Sequence, residues 1–247
     1  TNITIGTNAG NGSVTFSANT LVAIANTSGT AANITYDITT GNKTSSILAG
    51  ALSIPSGSSS NINYIIKTAG SAINPAAIGS SSAALPGYVL IDNTYGCTAS
   101  TPACTPVSGY INTTTANLAT LATGSVGVTM NNAIYARDNI TVNGVTGGAS
   151  NTGIDYSVAL ISTAGNVILN GGATDGRAVY NSVASTITAN NITINGNTTL
   201  APAWALQIGA LTINSGVVGG NIALTGNVVG IPGAAGGIYQ SGAITGV

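Results

Sequence analysis

The side chains best suited to acid–base chemistry in this 247-residue chain are aspartates, and they are spread along its whole length. A hydrolase or lyase acting on polysaccharides would need several carboxylates clustered with Arg or Lys in one cleft. Opposite charges come together at Arg137-Asp138 and at Asp175-Gly-Arg177, both in turns between predicted strands. A solvated corner pair is the simpler interpretation of each, and such pairs stabilise little. The aspartates are Asp37, Asp92, Asp138, Asp155 and Asp175.

The chain also lacks the residues that other kinds of reactive or binding site require. The chain contains no His, and without His, Glu or an unpaired reactive Cys a nucleophile has no base to activate it. There is no Gly-rich phosphate loop with its Lys and no Asp-rich calcium loop. Two cysteines with no His cannot complete a typical zinc site. We therefore expect a protein that is not an enzyme and that uses no metal and no cofactor.

The only two cysteines are Cys97 and Cys104, in the sequence YGCTASTPACTPVSGY. We expect a local disulfide between them rather than two free thiols. Such a bond would place the chain in an oxidising, extracytoplasmic compartment. Because the bond would close only a small loop, its loss should cost about 2–3 kcal/mol without unfolding the rest of the chain.

The composition limits both the partners and the secondary structure. Charged residues make up 4% of the chain and the formal net charge is −1, so no basic patch is available for nucleic acid or an anionic membrane. Hydrophobic residues make up 44%, which argues against disorder, but no apolar run approaches the roughly 18–20 residues of a membrane span. The 34 Gly, with abundant Thr and Asn, favour short strands and tight turns over long helices.

One phrase returns along the second half of the chain: Asn, aliphatic, any, aliphatic, any, Gly. Its copies recur at similar but unequal intervals, and a second phrase with an aromatic residue and a third aliphatic phrase follow each copy. Three short strands in a unit of about 25 residues indicate a β-solenoid. The copies of the first phrase begin at Asn139, Asn166, Asn191 and Asn221.

The physics of a stacked tube accounts for this choice of residues. Coils would stack at about 4.8 Å, with alternate aliphatic side chains filling the interior. We expect the four repeated Asn and the Gly of each phrase to form corners, where a positive φ is needed, and the Asn to stack into amide ladders. A like charge in every coil would repel its copy one coil away. The fold is therefore predicted to be an all-β parallel β-helix that contains few charged residues.

Aromatic residues also recur at a regular interval. Tyr156, Tyr180 and Trp204 are equally spaced in the chain, and Tyr239 continues the series after a longer unit. We expect them to occupy equivalent positions on successive coils and to form a ladder that fixes the register. The alternative is an exposed aromatic stripe that holds sugar rings. Asp155, next to Tyr156 on a predicted strand, should face the opposite side, toward solvent.

The domain organisation follows from where the repeat is lost. Residues 1–39 are predicted to form N-terminal solenoid coils, and residues 109–247 the regular repeats. Residues 40–108, where Pro and Ser rise, are predicted to form a loop-rich insertion pinned by the cysteine bridge, with a separate β-sandwich as the less favoured alternative. Strands are nevertheless expected at residues 21–25, 33–39, 62–67 and 88–92.

The phrases GNVILNGG, NITING, ALTINSGVVGGNIALTG and ITVNG resemble those of the filamentous-haemagglutinin-like family. The resemblance covers residues 139–247 well and residues 1–39 more loosely, and it is absent between them. It implies a right-handed parallel β-helix exported by two-partner secretion across an outer membrane. It also implies a role in adhesion, biofilm formation or contact-dependent competition.

These observations predict the structural shaft of a secreted extracellular fibre or adhesin at the cell surface, built by stacking coils end to end. The chain begins and ends on strand phrases without Lys or Pro at their edges, so each end should be covered by more of the same chain or by a second copy. One alternative is a freestanding filament subunit that polymerises by end stacking or strand donation. A second is a solenoid that binds carbohydrate or ice, with surface glycans as partners.

Overall fold

A computed structural model describes the side chains and backbone of residues 73–75, 77–79, 85, 87–93, 126–146, 152–173, 176–181, 183, 185–198, 204–214, 218–228 and 237–246. It describes the backbone alone for residues 2–7, 14–15, 21–23, 33–40, 47–49, 51–53, 61–68, 147–149 and 174–175. Strands are numbered in chain order.

The largest sheets, sheet A and sheet B, each contain eight strands, and every strand pair described in them is parallel. Sheet A contains, in spatial order, β1 (Asn2–Thr7), β4 (Asn33–Thr40), β7 (Asn61–Thr68), β9 (Tyr88–Asp92), β12 (Ile140–Ala149), β15 (Asn166–Asp175), β18 (Asn191–Thr198) and β21 (Ile222–Val228). Sheet B contains β2 (Val14–Thr15), β5 (Ile47–Ala49), β8 (Ile73–Pro75), β10 (Val128–Met130), β13 (Ile154–Tyr156), β16 (Val179–Asn181), β19 (Leu206–Ile208) and β22 (Ile238–Gln240).

A third group of parallel strands completes the tube. Sheet C contains β11 (Ile134–Ala136), β14 (Leu160–Ser162), β17 (Thr186–Ala189), β20 (Ala210–Ile213) and β23 (Ile244–Thr245). The pair β3 (Leu21–Ala23) and β6 (Ala51–Ser53) forms a separate two-stranded sheet. From β12 onward the chain visits sheets A, B and C in turn, and one such passage is called a coil here. The predicted all-β solenoid with three short strands per coil is confirmed.

The repeated phrases correspond to the three sheets. The Asn-containing phrase forms the strands of sheet A, the aromatic phrase those of sheet B, and the closing aliphatic phrase those of sheet C. Register partners across β12, β15, β18 and β21 are separated by the same intervals as the copies of the Asn-containing phrase. The repeat in the sequence is therefore the length of one coil.

The core is a set of apolar columns inside the tube. Along each strand alternate side chains point inward, and most of the inward ones in coils before the last described coil are fully buried. Burying one aliphatic side chain stabilises the fold by about 1.5–3 kcal/mol, so each coil adds to the same continuous core. The inward residues are Ile140, Val142, Val167, Leu169, Ile192 and Ile194 in sheet A, Ile154, Tyr156, Val179, Leu206 and Ile208 in sheet B, and Ile134, Ala136, Leu160, Ile187, Ala189 and Leu211 in sheet C.

Residues 40–108 do not form the predicted insertion as a whole. The strands β7 and β9 belong to sheet A, β5 and β8 belong to sheet B, and β6 pairs with β3. Sheet A therefore runs without a break across both predicted boundaries, after residue 39 and after residue 108. The repeat phrase disappears here because a coil needs only inward apolar positions and tolerates many sequences elsewhere. Cys97 and Cys104 lie outside the described residues, between β9 and β10, and their disulfide stays a prediction.

The Gly that closes each Asn-containing phrase has a different role from the predicted one. Gly144, Gly171, Gly196 and Gly226 are register partners inside the strands of sheet A. None of them has the positive φ expected at a corner. A Cβ at each would overlap the neighbouring sheet B segment, at 2.5 Å from the Gly153 carbonyl oxygen in the case of Gly144. Gly is needed because sheets A and B approach closely at this edge.

Replacing Gly171 by Ala should therefore destabilise the solenoid. The new Cβ would overlap the carbonyl group of Ala178, which belongs to the backbone and cannot rotate away. We expect a loss of about 1–3 kcal/mol in the free energy of unfolding, measured by urea denaturation followed by circular dichroism. Gly246→Ala is the matched control, because a Cβ there has no atom within 4 Å. Equal losses in the two variants would contradict the close-approach explanation.

Candidate functional site

The four repeated asparagines form a ladder along the edge where sheet A begins. The backbone N–H of Asn166 donates to Oδ1 of Asn139 over 2.9 Å. Nδ2 of Asn191 donates to Oδ1 of Asn166 over 2.7 Å, and the backbone N–H of Asn221 donates to Oδ1 of Asn191 over 3.0 Å. Each coil is thus tied to the next by the first residue of its repeat phrase.

A second asparagine ladder lies in the middle of sheet A, and the sequence interpretation missed it. Asn143, Asn170 and Asn195 are register partners. Nδ2 of Asn170 donates to Oδ1 of Asn143 over 2.9 Å, and Nδ2 of Asn195 donates to Oδ1 of Asn170 over 3.0 Å. The signal was present as Asn at the fifth position of three of the four phrases, with Thr225 in the fourth.

Asn93 extends the hydrogen bonding of sheet A beyond the short strand β9. Its backbone N–H donates to the Asn143 carbonyl oxygen over 3.1 Å. Its side-chain amide then donates to the Val145 carbonyl oxygen and accepts from the Val145 N–H, both over 2.8 Å. The fully buried side chain of Asn93 thus makes the hydrogen bonds to Val145 that the backbone of a longer strand would make.

The amide group suits these ladders because it both donates and accepts hydrogen bonds. Each Asn can donate to one neighbour through Nδ2 and accept from the other through Oδ1. A carboxylate can only accept, and stacked carboxylates would repel one another across a coil spacing of about 4.8 Å. The choice of Asn over Asp is therefore a direct consequence of stacking identical positions.

The predicted aromatic ladder is wrong. The register partner of Tyr156 is Asn181, whereas Tyr180 pairs with Asp155. A shift of one residue moves a side chain to the other face of a strand, so Tyr156 lies in the core and Tyr180 outside. The equal spacing of the aromatic residues along the chain was misleading. The register partners Ile154, Val179 and Leu206 in sheet B are farther apart in the chain than the aromatic residues are, and the two distances between them differ.

Tyr156 acts as a core residue. It is the largest fully buried side chain described, and its hydroxyl finds no hydrogen-bond partner in the described part of the chain. Burial raises the pKa of Tyr156 well above its usual value, and the backbone of Gly209 beside it offsets only part of the rise. The phenol therefore stays neutral at any physiological pH.

The remaining aromatic side chains of the predicted ladder gather on the outside of sheet B. The rings of Trp204 and Tyr239 stack with centroids 5.7 Å apart and planes at 25°. The guanidinium carbon of Arg177 lies 4.5 Å from the centre of the Tyr180 ring. These residues, together with Asp155 on β13 and Gln207 on β19, are called the outer face of sheet B below.

The charged pairs considered from the sequence differ in their surroundings. Arg137 and Asp138 form an ion pair of 2.8 Å, with side chains 45% and 49% exposed. The hydrogen bond from Arg137 lowers the pKa of Asp138 below its ordinary value, but solvent screening leaves such a pair little effect on stability. Arg177 contacts the Tyr180 ring, and the side chain of Asp175 lies outside the described residues.

Comparison with protein-family models, with curated proteins and with solved structures finds no match for this chain. Among the residues described, no helix has the length and apolar character that crossing a membrane requires. Nor do those residues bring together three or more His, Cys, Asp or Glu side chains in a way that could hold a metal ion. The class of protein is thus defined by the strand pairing: a β-solenoid repeat protein.

Replacing Asn170 by Asp should destabilise the solenoid in a pH-dependent way. The carboxylate would be buried and would face Oδ1 of Asn143 without a proton to donate. Burial raises the pKa of such a group, so the loss should be smallest near pH 3, where the acid is protonated and can donate. It should grow as the pH rises above about 4 and should exceed about 1–3 kcal/mol at pH 7.

Urea denaturation at pH 3 and pH 7 measures this effect. Thr225→Asp is the control, because Thr225 is the register partner of Asn195 in the same column but is exposed. It should change the free energy of unfolding by no more than about 0.5 kcal/mol at either pH. A loss for Asn170→Asp that is the same at both pH values would contradict the ladder's role.

Proposed function

We propose that this protein is a non-enzymatic structural shaft of a secreted extracellular fibre or adhesin, in which β-coils stack end to end. The support is architectural: two eight-stranded parallel sheets share one tube, and asparagine ladders tie successive coils together. Each added coil lengthens such a tube by about 4.8 Å. Length and rigidity are what this arrangement provides.

The observation that carries the proposal is the in-register stacking of sheet A, in which asparagine side chains hydrogen-bond from one coil to the next. The last coil described shows which positions such stacking buries. Ile238 and Ile244 are 38% and 56% exposed. Their register partners in the preceding coil, Leu206 and Leu211, are fully buried. Leu206 and Leu211 have a described coil on both sides, whereas Ile238 and Ile244 have one on a single side. An apolar surface bordered by strand edges is a template for another strand layer.

In a shaft, this surface would be covered by a further coil, from the same chain or from a second copy. A continuing chain would make the shaft part of a much larger protein. A second copy would make the chain a freestanding subunit that polymerises by end stacking or strand donation. The mass of the native protein distinguishes the two, because a subunit would have the 23.9 kDa of this chain.

Secretion and the cell-surface location rest on the resemblance of short phrases to the filamentous-haemagglutinin-like family. The predicted Cys97–Cys104 disulfide would be consistent with an extracytoplasmic protein. Right-handedness of the helix is part of the same resemblance. Adhesion and biofilm formation follow as the roles that a long, rigid surface shaft would serve.

The purified 247-residue chain should assemble through its apolar end coil. Sedimentation velocity should show mass increasing with concentration, and electron microscopy should show thin filaments. Ile244→Lys should suppress assembly, because it places a charge on the surface that a following coil would cover. Val183→Lys is the matched control: Val183 is similarly exposed, at 59%, but lies on the flank between β16 and β17. A chain that stays monomeric at high concentration would contradict the proposal, as would equal suppression by both variants.

A further inference from the structure

The outer face of sheet B brings together several charged and aromatic side chains, which are rare in this chain. Only 4% of the chain is charged and 4% is aromatic. Yet Asp155, Tyr180 and Tyr239 lie on the outer side of three strands of this sheet, and Arg177 and Trp204, just before β16 and β19, contact the rings of Tyr180 and Tyr239. The outward row of sheet C over its last three strands is different, and consists of Thr188, Thr212 and Thr245. Stacking alone therefore does not call for these residues.

The strand register places hydrogen-bonding groups in one column along this face. Thr129 pairs with Asp155, Asp155 with Tyr180, Tyr180 with Gln207, and Gln207 with Tyr239. At about 4.8 Å per strand the last four span about 14 Å. The column offers a carboxylate, an amide and two phenol groups, which together donate and accept hydrogen bonds.

The aromatic rings add a flat apolar platform beside that column. Tyr239 is 43% exposed while its ring is supported by the stacked ring of Trp204. Arg177 is held over Tyr180 by a cation–π contact. Its Nε is buried beneath this contact, so the guanidinium supports the Tyr180 ring rather than meeting a ligand through that atom. Rings fixed in this way lose little conformational freedom when a ligand contacts them.

We propose that the outer face of sheet B binds a short chain of neutral pyranose sugars. The apolar face of a sugar ring would lie against Tyr239 and Trp204. The hydroxyl groups would bond to Gln207 and to the phenol groups of Tyr180 and Tyr239, the polar groups of the column that would fix the ligand's orientation. One carboxylate and one guanidinium leave the face close to neutral, which suits an uncharged ligand better than a nucleic acid or an anionic lipid.

This proposal does not rest on fibre assembly. Most of the face lies on the flank of the tube, but Tyr239 belongs to β22 of the last coil described, the coil that assembly would cover. A monomeric chain could bind sugar, and a filament could fail to bind it. The two experiments therefore give separate outcomes.

Trp204 provides the measurement, because it is the only tryptophan in the chain. The probes are cellotetraose, maltotetraose and chitotetraose, which differ in linkage and in N-acetylation. At least one should cause a saturable change in Trp204 fluorescence. Tyr239→Ala and Gln207→Ala should each weaken that binding at least about tenfold, a loss of about 1.4 kcal/mol. Tyr135→Ala is the control: Tyr135 is a half-buried tyrosine of β11 in sheet C, and its loss should leave the affinity unchanged.

Circular dichroism of each variant establishes that the fold is retained. Absence of saturable binding to all three probes would overturn the proposal. Binding that persists in the double variant Gln207→Ala with Tyr239→Ala would overturn it as well, because the sugar would then lie elsewhere.

Discussion

Strand residues of this solenoid lie over their counterparts one coil away, and this repetition at about 4.8 Å constrains the rest of the molecule. A position that repeats the same residue in every coil tolerates only side chains that interact favourably with copies of themselves. Aliphatic residues satisfy the condition inside the tube, where columns such as Val142, Leu169 and Ile194 are fully buried. Asparagine satisfies it in sheet A, because one amide can donate to the coil before and accept from the coil after.

The same constraint accounts for the scarcity of charge and for what the protein could do. Charge is rare because a charged column would repel itself, and the ion pair described between Arg137 and Asp138 lies exposed. Glycine recurs at one column because sheets A and B touch there. The last coil described exposes on its open side the apolar positions that a further coil would bury. This arrangement supports the proposed shaft, and the proposed sugar site lies on the outer face of sheet B.

The sequence predicted the fold well because the repeat phrase carries the period of the coil and the alternation of the strands. It predicted the asparagine edge for the same reason, since Asn139, Asn166, Asn191 and Asn221 lie at or just before the first residue of equivalent strands. It failed for the aromatic residues because equal spacing in the chain is not equal register when coils differ in length. It also failed for residues 40–108, where the strand pairing of sheet A continues but the phrase does not. Gly144 and its register partners must be glycine because sheet B lies against them. A contact between two sheets cannot be read from a short stretch of sequence.

Chemical cross-linking of register partners tests the stacking most directly. Ile168 and Thr193 are partners on β15 and β18, and both side chains are half-buried on the outside of sheet A. In a background with Cys97 and Cys104 replaced by Ser, the variant Ile168→Cys with Thr193→Cys should react with dibromobimane, which fluoresces on joining two close thiols. The control Ile168→Cys with Thr212→Cys places the second thiol on sheet C, in the same coil as Thr193. Strong fluorescence from the first pair alone is the result expected, and its absence from that pair, or equal fluorescence from both, would contradict the in-register solenoid.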